Sequence, residues 1–465
     1  MKMTGQYEES IHRVFDRIKK SKLNAYITLN EKDALETAKQ VDEGKTTGRL
    51  AGMPIAVKDC ITTKGIQTTC GSKILQGYVP PFDAEVAARI KKEGAVIVGK
   101  ANMDEFAMGS STENSAFGPT RNPWDTTRVA GGSSGGSGAA VAGMECRMSL
   151  GTDTGGSVRC PASYCGLVGI KPTYGLVSRF GVIEYANSLE QVGPIGRNVA
   201  DAALLLDVIA GLDTKDSTSV GEADKVCYTD YLKEDVKGLT IGVPEEYFGE
   251  GMDPRVEKSV WDGIMTLNKL GADYKKVSLP HTKYALAAYY IIAMCEASSN
   301  LARFDGLRYG LRTGKDENWH STFSRIRAEG FGQEVKRRVM LGTYALSEGY
   351  YGKYYLKALK VRTLIKGDFD RAFKSVDILA APTMPTPAFK IGEKVEDPLS
   401  MYLADINTLP INLAGVPSIS IPCGFAGKLP IGMQLIGDLF AEPKLIQAAY
   451  TFETNTDFQK LPEGF

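Results

Sequence analysis

The chain has 465 residues, 43% of them hydrophobic, so it can bury a large core, and its length is compatible with two or three domains. Lys and Arg together number 55, as do Asp and Glu, which makes the net charge zero. Proteins that hold nucleic acid by neutralising its phosphates usually carry a basic excess, so any nucleic acid is expected to be held by a partner.

The N-terminal residues and the spacing of the cysteines bear on the cellular compartment of the protein. Residues 1–11 contain neither an apolar run nor a cleavage-site pattern, so we expect no signal peptide. The longest apolar stretches, such as residues 200–211, contain acidic residues and are too short to span a bilayer. Eight cysteines lie scattered without a C-x-x-C pair, which argues against a zinc site and a disulfide framework. These features predict a cytoplasmic protein, or one of an organelle matrix.

Helical and strand patterns alternate along the chain. Residues 84–94 form an amphipathic helical pattern that ends at Gly94, and the apolar run 95–99 is typical of a buried strand. Asn198 is placed to cap a helix that ends at Gly211. Further strands and one further helix follow in the second half: strands over 239–243, 376–381, 417–422 and 432–437, and a helix from Asp253 and Pro254 to Gly271.

This alternation predicts an α/β fold in which helices cover both faces of a β-sheet. No low-complexity linker, internal repeat or block of like charge marks a domain boundary. We therefore expect residues 1–465 to form a single domain.

Two short motifs suggest other chemistries and fail on their details. Residues 94–100 match G-x-x-x-x-G-K, but the intervening residues form an apolar strand pattern, and Ala101 stands where a phosphate-binding loop needs Ser or Thr. Ser134 lies in a G-x-S-x-G match, whose mechanism requires a histidine base. The three histidines, at 12, 281 and 320, lie in no motif. Nucleotide binding and a Ser–His–Asp triad are both disfavoured.

A serine and a lysine fit a different catalytic arrangement. Ser157 lies in GTDTGGSVRCP (residues 151–161), and a serine needs a neighbouring base to become a nucleophile. Lysine can be that base where burial disfavours its charged form, and Lys58 follows an apolar run, 53–57. Taken alone, Lys58 followed by Asp59 equally fits a strand end with a salt bridge.

The glycine-rich runs add to this interpretation. Gly155 and Gly156 let the backbone before Ser157 approach a substrate and present N–H groups to a developing oxyanion. In GGSSGGSGAA (residues 131–140), a glycine before Ser133 permits an unusual peptide geometry. For the TGGS run that ends at Ser157, taken by itself, an ordinary turn before a strand is the simpler alternative.

Residues 131–174 closely resemble the signature of the amidase signature family. The resemblance implies an amidase-signature fold, with a central mixed β-sheet covered on both faces by helices and a signature core at about residues 50–200. It also implies a base lysine, a bridging serine in a cis peptide and a nucleophilic serine, which match Lys58, Ser133 and Ser157. The family's oxyanion donors fall on four backbone N–H groups, those of Thr154, Gly155, Gly156 and Ser157.

The resemblance continues through residues 279–311, 337–345 and 354–370, where the chain is similar to the glutamine-hydrolysing A subunits of tRNA-dependent amidotransferases. It implies that the substrate glutamine is held by Tyr289 or the adjoining Tyr290, by Arg338 and by Asp405. The chemistry is consistent, because a guanidinium pairs bidentately with an α-carboxylate and a carboxylate suits an α-ammonium. Read without the resemblance, Arg338 would be one of a basic pair on a helix surface.

The same resemblance implies partners. A B subunit would bind tRNA, use ATP and magnesium, and convert Glu-tRNA(Gln), Asp-tRNA(Asn) or both with the ammonia supplied by this chain, and a small C subunit would complete a heterotrimer. No cofactor and no metal are expected in this chain itself. Two alternatives stay open: a free-standing amidase acting on another small amide, and a catalytically silent scaffold subunit.

Overall fold

The computed structural model describes residues 5–221, 226–249, 251–314 and 318–463. Its centre is a mixed sheet of 11 strands in the order β1-β3-β2-β6-β8-β7-β12-β13-β11-β9-β10, and β4 and β5 pair separately. The strands are β1 (Tyr26–Leu29), β2 (Pro54–Lys58), β3 (Val96–Ala101), β4 (Arg121–Asn122), β5 (Asp125–Val129), β6 (Met148–Thr152), β7 (Val168–Lys171), β8 (Val192–Gly196), β9 (Thr240–Pro244), β10 (Asp273–Val277), β11 (Ile378–Pro382), β12 (Ser418–Ala426) and β13 (Leu429–Gly437).

Helices flank this sheet, so the predicted α/β class is confirmed. In chain order they are α1 (Gln6–Lys20), α2 (Glu31–Asp42), α3 (Glu85–Lys92), α4 (Gly135–Ala142), α5 (Arg159–Cys165), α6 (Val199–Ile209), α7 (Pro254–Lys269), α8 (Ala285–Asn300), α9 (Trp319–Gly330), α10 (Gln333–Leu346), α11 (Tyr355–Ala372), α12 (Pro398–Leu403), α13 (Leu409–Ala414) and α14 (Glu442–Thr454).

The strand directions place several loops at one edge of the sheet. β2 runs parallel to both β3 and β6, with Ile55 opposite Met148 and Val57 opposite Leu150. Parallel strands end at the same edge, so the loops that follow β2 and β6 emerge side by side. β8, β7, β12 and β13 then continue the sheet in antiparallel pairs.

Most elements expected from the sequence are present with shifted ends. Gly94 has a positive φ of 78° and separates α3 from β3 at the place where the pattern predicted a boundary. The Asn198 side chain accepts a hydrogen bond from Asp201 N, and the Asp253 side chain accepts one from Arg255 N, so both predicted helix caps form. The late strands β12 and β13 are longer than their apolar runs because they pair as a hairpin.

The rejected phosphate-binding motif is part of the sheet. Residues 96–101 form β3, and Lys100 is fully buried, with its Nζ donating to Ile61 O at 2.8 Å and Thr68 Oγ1 at 2.6 Å. An amine engaged in this way is not free to reach a phosphate. The lysine therefore has a structural role here.

The second half of the chain packs around one apolar helix. α8 combines alanine, isoleucine and tyrosine on all sides, and most of its side chains are buried between α10 and α11. A helix that is apolar all round requires neighbours on every face. All eight cysteines are free thiols. Within the described ranges, no helix is both long and apolar enough to cross a membrane.

Candidate active site

Three segments bring the predicted catalytic residues together at one edge of the sheet. Lys58 is the last residue of β2, and Ser157 lies in the loop between β6 and α5. Ser133 lies between β5 and α4. Because β2 and β6 are parallel neighbours, Lys58 and the loop that carries Ser157 leave the sheet side by side.

Lys58 is fully buried and surrounded by oxygens. Its Nζ lies 2.8 Å from Ser133 Oγ, 2.8 Å from Thr152 Oγ1 and 3.3 Å from Thr152 O. In the described part of the chain, no carboxylate pairs with this amine. All three neighbours are oxygens that can accept a hydrogen bond from the amine, so the lysine is held in place by hydrogen bonds alone.

The backbone around Ser133 is closely packed. The peptide bond between Gly132 and Ser133 is cis. A Cβ at Gly132 would lie 2.2 Å from Asp104 Oδ2 and 2.4 Å from Ser111 N, so only glycine fits there. The next residue, Ser134, donates its N–H to Ser157 O at 3.3 Å and thereby joins the two serine-bearing loops.

Asp153 organises the loop that carries Ser157. Its carboxylate accepts the N–H groups of Gly156 at 2.7 Å and Val158 at 3.2 Å, and it pairs with the buried Arg159 guanidinium. Burial alone would raise the pKa of Asp153, but Arg159 outweighs it and brings the pKa below its usual range. The loop is therefore built around an ionised carboxylate with no solvent contact.

The expected oxyanion donors differ in availability. The Gly156 N–H is already bound to Asp153. For the N–H groups of Thr154, Gly155 and Ser157, the described residues offer no acceptor. Ser157 itself is 7% exposed. Three of the four predicted N–H groups are thus free to donate hydrogen bonds to a bound molecule.

Histidine takes no part in this cluster. His281 Nδ1 is bound to Asp368 Oδ1 at 2.8 Å, and His12 and His320 are exposed on α1 and α9. Ser134, the serine of the rejected elbow motif, is buried and donates to Thr152 O at 3.1 Å. A Ser–His–Asp arrangement is therefore excluded by position.

A second cluster surrounds Arg338, which lies on α10 and is only 3% exposed. Its Nε donates to Glu334 Oε1 at 2.7 Å, and its Nη1 donates to Tyr185 Oη at 2.9 Å. The guanidinium carbon lies between 5.1 and 5.5 Å from the centroids of three aromatic rings, those of Tyr185, Tyr290 and Tyr402. The expectation of a solvated surface arginine does not hold.

The two adjoining tyrosines of α8 have different surroundings. The Tyr289 hydroxyl reaches the loop of Ser157, since a Cβ placed on Gly155 would lie 2.6 Å from Tyr289 Oη. Tyr290 stacks on Tyr402 with centroids 4.1 Å apart and faces Arg338. Of the two candidate registers, Tyr289 is the one next to the loop that carries Ser157, and Tyr290 is one of the rings around Arg338.

Asp405 lies between α12 and α13 and is 7% exposed. The Ser110 hydroxyl donates to Asp405 Oδ2. Burial raises the pKa of Asp405 to about 7, although the Ser110 hydrogen bond and the charge of Arg338 oppose that rise. Nearby, Thr408 Oγ1 donates to Gly155 O at 2.5 Å, which connects the Asp405 segment to the loop that carries Ser157.

Sequence reasoning missed the residues that hold this second cluster. Glu334 accepts from Arg338 Nε and also from Tyr402 Oη at 2.7 Å. Its spacing of four residues from Arg338 was a visible sign of a helical ion pair. Tyr185 and Tyr402 come from distant segments and left no such sign. Arg338, Glu334 and Tyr402 border a cavity of about 470 Å³ that leads outward from the cluster.

Comparison with known proteins gives consistent results. The model of the family described as "Amidase" matches residues 9–446. The chain is 65% identical over 451 residues to a Methanosarcina mazei protein named as the A subunit of glutamyl-tRNA(Gln) amidotransferase, covering 97% of this chain and 94% of that one. A protein of the same name from Carboxydothermus hydrogenoformans is 60% identical, with 96% and 93% covered.

A solved structure is similar over nearly the whole fold. It is the crystal structure of the A subunit of glutamyl-tRNA(Gln) amidotransferase from Thermotoga maritima, which aligns with a TM-score of 0.83 and 43% identity. The alignment covers 98% of this chain and 95% of that chain. In the described ranges, no group of three or more His, Cys, Asp or Glu residues is placed to hold a metal ion.

Proposed function

The chain belongs to the amidase family, and from its site we propose that it hydrolyses glutamine as the A subunit of a glutamyl-tRNA(Gln) amidotransferase. The observation that supports this most is the buried contact of 2.8 Å between Lys58 Nζ and Ser133 Oγ beside the loop of Ser157. Two relatives whose alignments cover 97% and 96% of this chain are named as subunits of a glutamyl-tRNA(Gln) amidotransferase, which supports the tRNA-dependent reaction.

In the proposed mechanism, Ser157 Oγ attacks the side-chain amide carbon of glutamine. Ser133 takes the proton of Ser157 and passes its own proton to neutral Lys58, so the hydroxyl becomes a nucleophile without a histidine. The relay then returns a proton to the leaving nitrogen, and ammonia departs as the C–N bond breaks. A glutamyl ester of Ser157 remains, and water hydrolyses it through the same relay to glutamate.

The free N–H groups of the loop that carries Ser157 stabilise the negative charge that develops on the substrate oxygen. Each attack places a negative charge on the former amide oxygen, and preorganised donors there stabilise the transition state more than the substrate. We assign this role to Thr154, Gly155 and Ser157, because the N–H of Gly156 is used by Asp153. Asp153 thus orients the loop, and three donors face the site.

Recognition of glutamine is assigned to the second cluster. Arg338 would pair with the α-carboxylate through the N–H groups that Glu334 and Tyr185 leave free, and Asp405 would receive the α-ammonium. Tyr289, against Gly155, would border the side-chain amide. An amide that lacks both charges would leave the remaining N–H groups of the buried Arg338 without an acceptor, which disfavours such substrates.

The released ammonia needs a partner subunit that consumes it. We propose that a B subunit binds tRNA and uses ATP and magnesium to activate the misacylated residue, and that a small C subunit completes the complex. The names of the relatives, each of which describes one subunit of an amidotransferase, support a multi-subunit enzyme. We further propose that residues 1–465 act as one domain, since a single sheet runs from β1 to β13.

The test is glutamine-dependent amidation of Glu-tRNA(Gln) by the chain purified with its partners. Ser157→Ala should abolish both ammonia release from glutamine and glutamine-dependent amidation, while added ammonia should still support amidation. Near-normal glutamine turnover would overturn the assignment of Ser157. The matched control is Ser163→Ala on α5, where a buried hydroxyl accepts only the Gly432 N–H and turnover should persist.

A further inference from the structure

A cavity of about 650 Å³ lies at the opposite end of β2 from Lys58. It is bordered by one face of α1, by residues 51–54 that lead into β2, and by the turns that precede β6 and α6. Since β2 has five residues at about 3.3 Å each, its first residue and Lys58 are separated by roughly 13 Å along the strand. The cavity is therefore separate from the catalytic cluster.

Four guanidinium groups and one carboxylate line this cavity. They belong to Arg13, Arg17, Arg147, Arg197 and Asp201. Arg147 Nη2 pairs with Asp201 Oδ1 at 2.9 Å, which neutralises that pair. Arg13 is exposed and pairs with Glu9 on the same helix at 3.3 Å. The charges of Arg17 and Arg197 remain to be accounted for.

Both remaining guanidiniums are held by the same turn without being neutralised. Arg17 Nη1 donates to Met144 O at 2.8 Å, and Arg197 Nη2 donates to Cys146 O at 3.1 Å. Carbonyl oxygens orient a guanidinium but carry no net charge. Within the described residues, neither arginine has a carboxylate within 4 Å. Arg197 Nε is buried and has no hydrogen-bond acceptor in that same set.

The carboxyl group of Glu145 in this turn does not neutralise the charges of Arg17 and Arg197. Glu145 lies between the two carbonyl residues and is 1% exposed. Burial raises the pKa of Glu145 to about 7, although a hydrogen bond with Ser21 and the charge of Arg17 oppose that rise. Its carboxyl therefore provides less than one full negative charge at neutral pH. The turn presents two half-buried cations that lack a counterion of their own.

We propose that this cavity binds a phosphate group, with Arg17 and Arg197 as its two principal ligands. Planar guanidinium groups match the oxygens of a phosphate bidentately, and a dianion neutralises two of them at once. A single carboxylate would neutralise only one. The phosphate is that of a small molecule or of a nucleic-acid backbone, since both present the same oxygens.

The test uses inorganic phosphate as the probe with the purified chain. Phosphate is titrated by calorimetry in a chloride buffer of constant ionic strength, so that general screening is the same throughout. We expect saturable binding, at least tenfold weaker for Arg197→Gln and for Arg17→Gln, and restored in part by Arg197→Lys. A 12-nucleotide RNA forms the second arm and distinguishes the source of the phosphate.

The matched control is Arg255→Gln, which removes one exposed arginine that pairs with Asp253 far from the cavity. Arg255→Gln should leave phosphate binding unchanged. Glutamine hydrolysis should be unchanged in Arg17→Gln, Arg197→Gln, Arg197→Lys and Arg255→Gln, and this activity also verifies that the variants are folded. Binding of RNA but not of phosphate, if lost in Arg197→Gln, would support a backbone phosphate. Equal binding by Arg197→Gln and the unmodified chain, or no binding of either probe at millimolar concentration, would overturn the proposal.

Discussion

The proposed catalytic cluster and the proposed glutamine-binding cluster are adjacent but are built differently. Lys58 ends β2, and Ser133 and Ser157 lie on loops at the same edge of the sheet, where backbone hydrogen bonds and glycine contacts position them. Arg338 lies on a helix and is positioned by a carboxylate and aromatic rings from distant segments. Both clusters join distant parts of the chain, but the first is held mainly by the backbone of a strand end and two loops, whereas the second is held by side chains packed around a guanidinium.

This difference suggests that one cluster carries out the chemical step and the other selects the substrate. Acyl transfer needs a nucleophile, a base and oxyanion donors at close spacing, which a strand end and two glycine-rich loops provide. Selecting one substrate requires protein groups that recognise the charges at the far end of the substrate. Packed side chains from any nearby segment can provide those groups. Changes to the first cluster should therefore lower kcat, and changes to the second should raise KM.

The largest expected effect comes from the base. Lys58→Met removes the proton acceptor while keeping an unbranched side chain, and we expect kcat for glutamine hydrolysis to fall by about 10⁴-fold. KM should change little, since Lys58 contacts Ser133 and Thr152 rather than the substrate charges. Steady-state ammonia release measures both constants. An unchanged kcat in a folded variant would rule out Lys58 as the base.

The next effect tests the glutamine-binding cluster. Arg338→Met should lower kcat/KM for glutamine by roughly 10²–10³-fold, mainly through KM, because the α-carboxylate then has no guanidinium to pair with. Hydrolysis of a small primary amide without a carboxylate should not fall. The control is Arg337→Gln, which changes a more exposed arginine in the next position and should leave KM near its original value. Equal losses for both substrates would contradict the assignment.

A pH profile tests Asp405. With its pKa raised to about 7 by burial, this carboxyl gains a proton as the pH falls and loses the charge that would bind the α-ammonium. We expect kcat/KM to fall about tenfold per pH unit below pH 7, through KM. Asp405→Asn should have a low kcat/KM without this acid limb. An identical acid limb in Asp405→Asn would show that another group titrates.

The smallest effect concerns a residue that positions Arg338. Burial alone would raise the pKa of Glu334, but Arg338 and the Tyr402 hydroxyl lower it, so Glu334 is ionised at neutral pH. Glu334→Gln should weaken the hold on the guanidinium and raise KM about three- to tenfold with kcat unchanged. Glu329→Gln changes an exposed acid on the border of the same cavity and should have no effect. A fall in kcat alone would contradict a positioning role.

The two clusters were predictable to different degrees. The glycine-rich runs around Ser133 and Ser157 are local features, and the alternation of patterns was enough for an α/β fold. The resemblance to a family added Arg338 and Asp405; without it, Arg338 would have been one of a basic pair on a helix surface. Tyr185 and Tyr402 were missed because their contacts with Arg338 and Glu334 join segments 153 and 68 residues apart. Glu334 was also missed, although its spacing of four residues from Arg338 is a local sign.

By itself the sequence determined the elements and the candidate chemistry: strand and helix periodicity, two helix caps, a lysine after an apolar run and serines beside glycines. These are short-range properties, decided by sterics and hydrogen bonding within a few residues. The tertiary structure decided which N–H groups are free, that Arg338 is enclosed by rings, and that burial brings the pKa of Asp405 to about 7. Burial and long-range contacts follow from packing, which no local pattern contains.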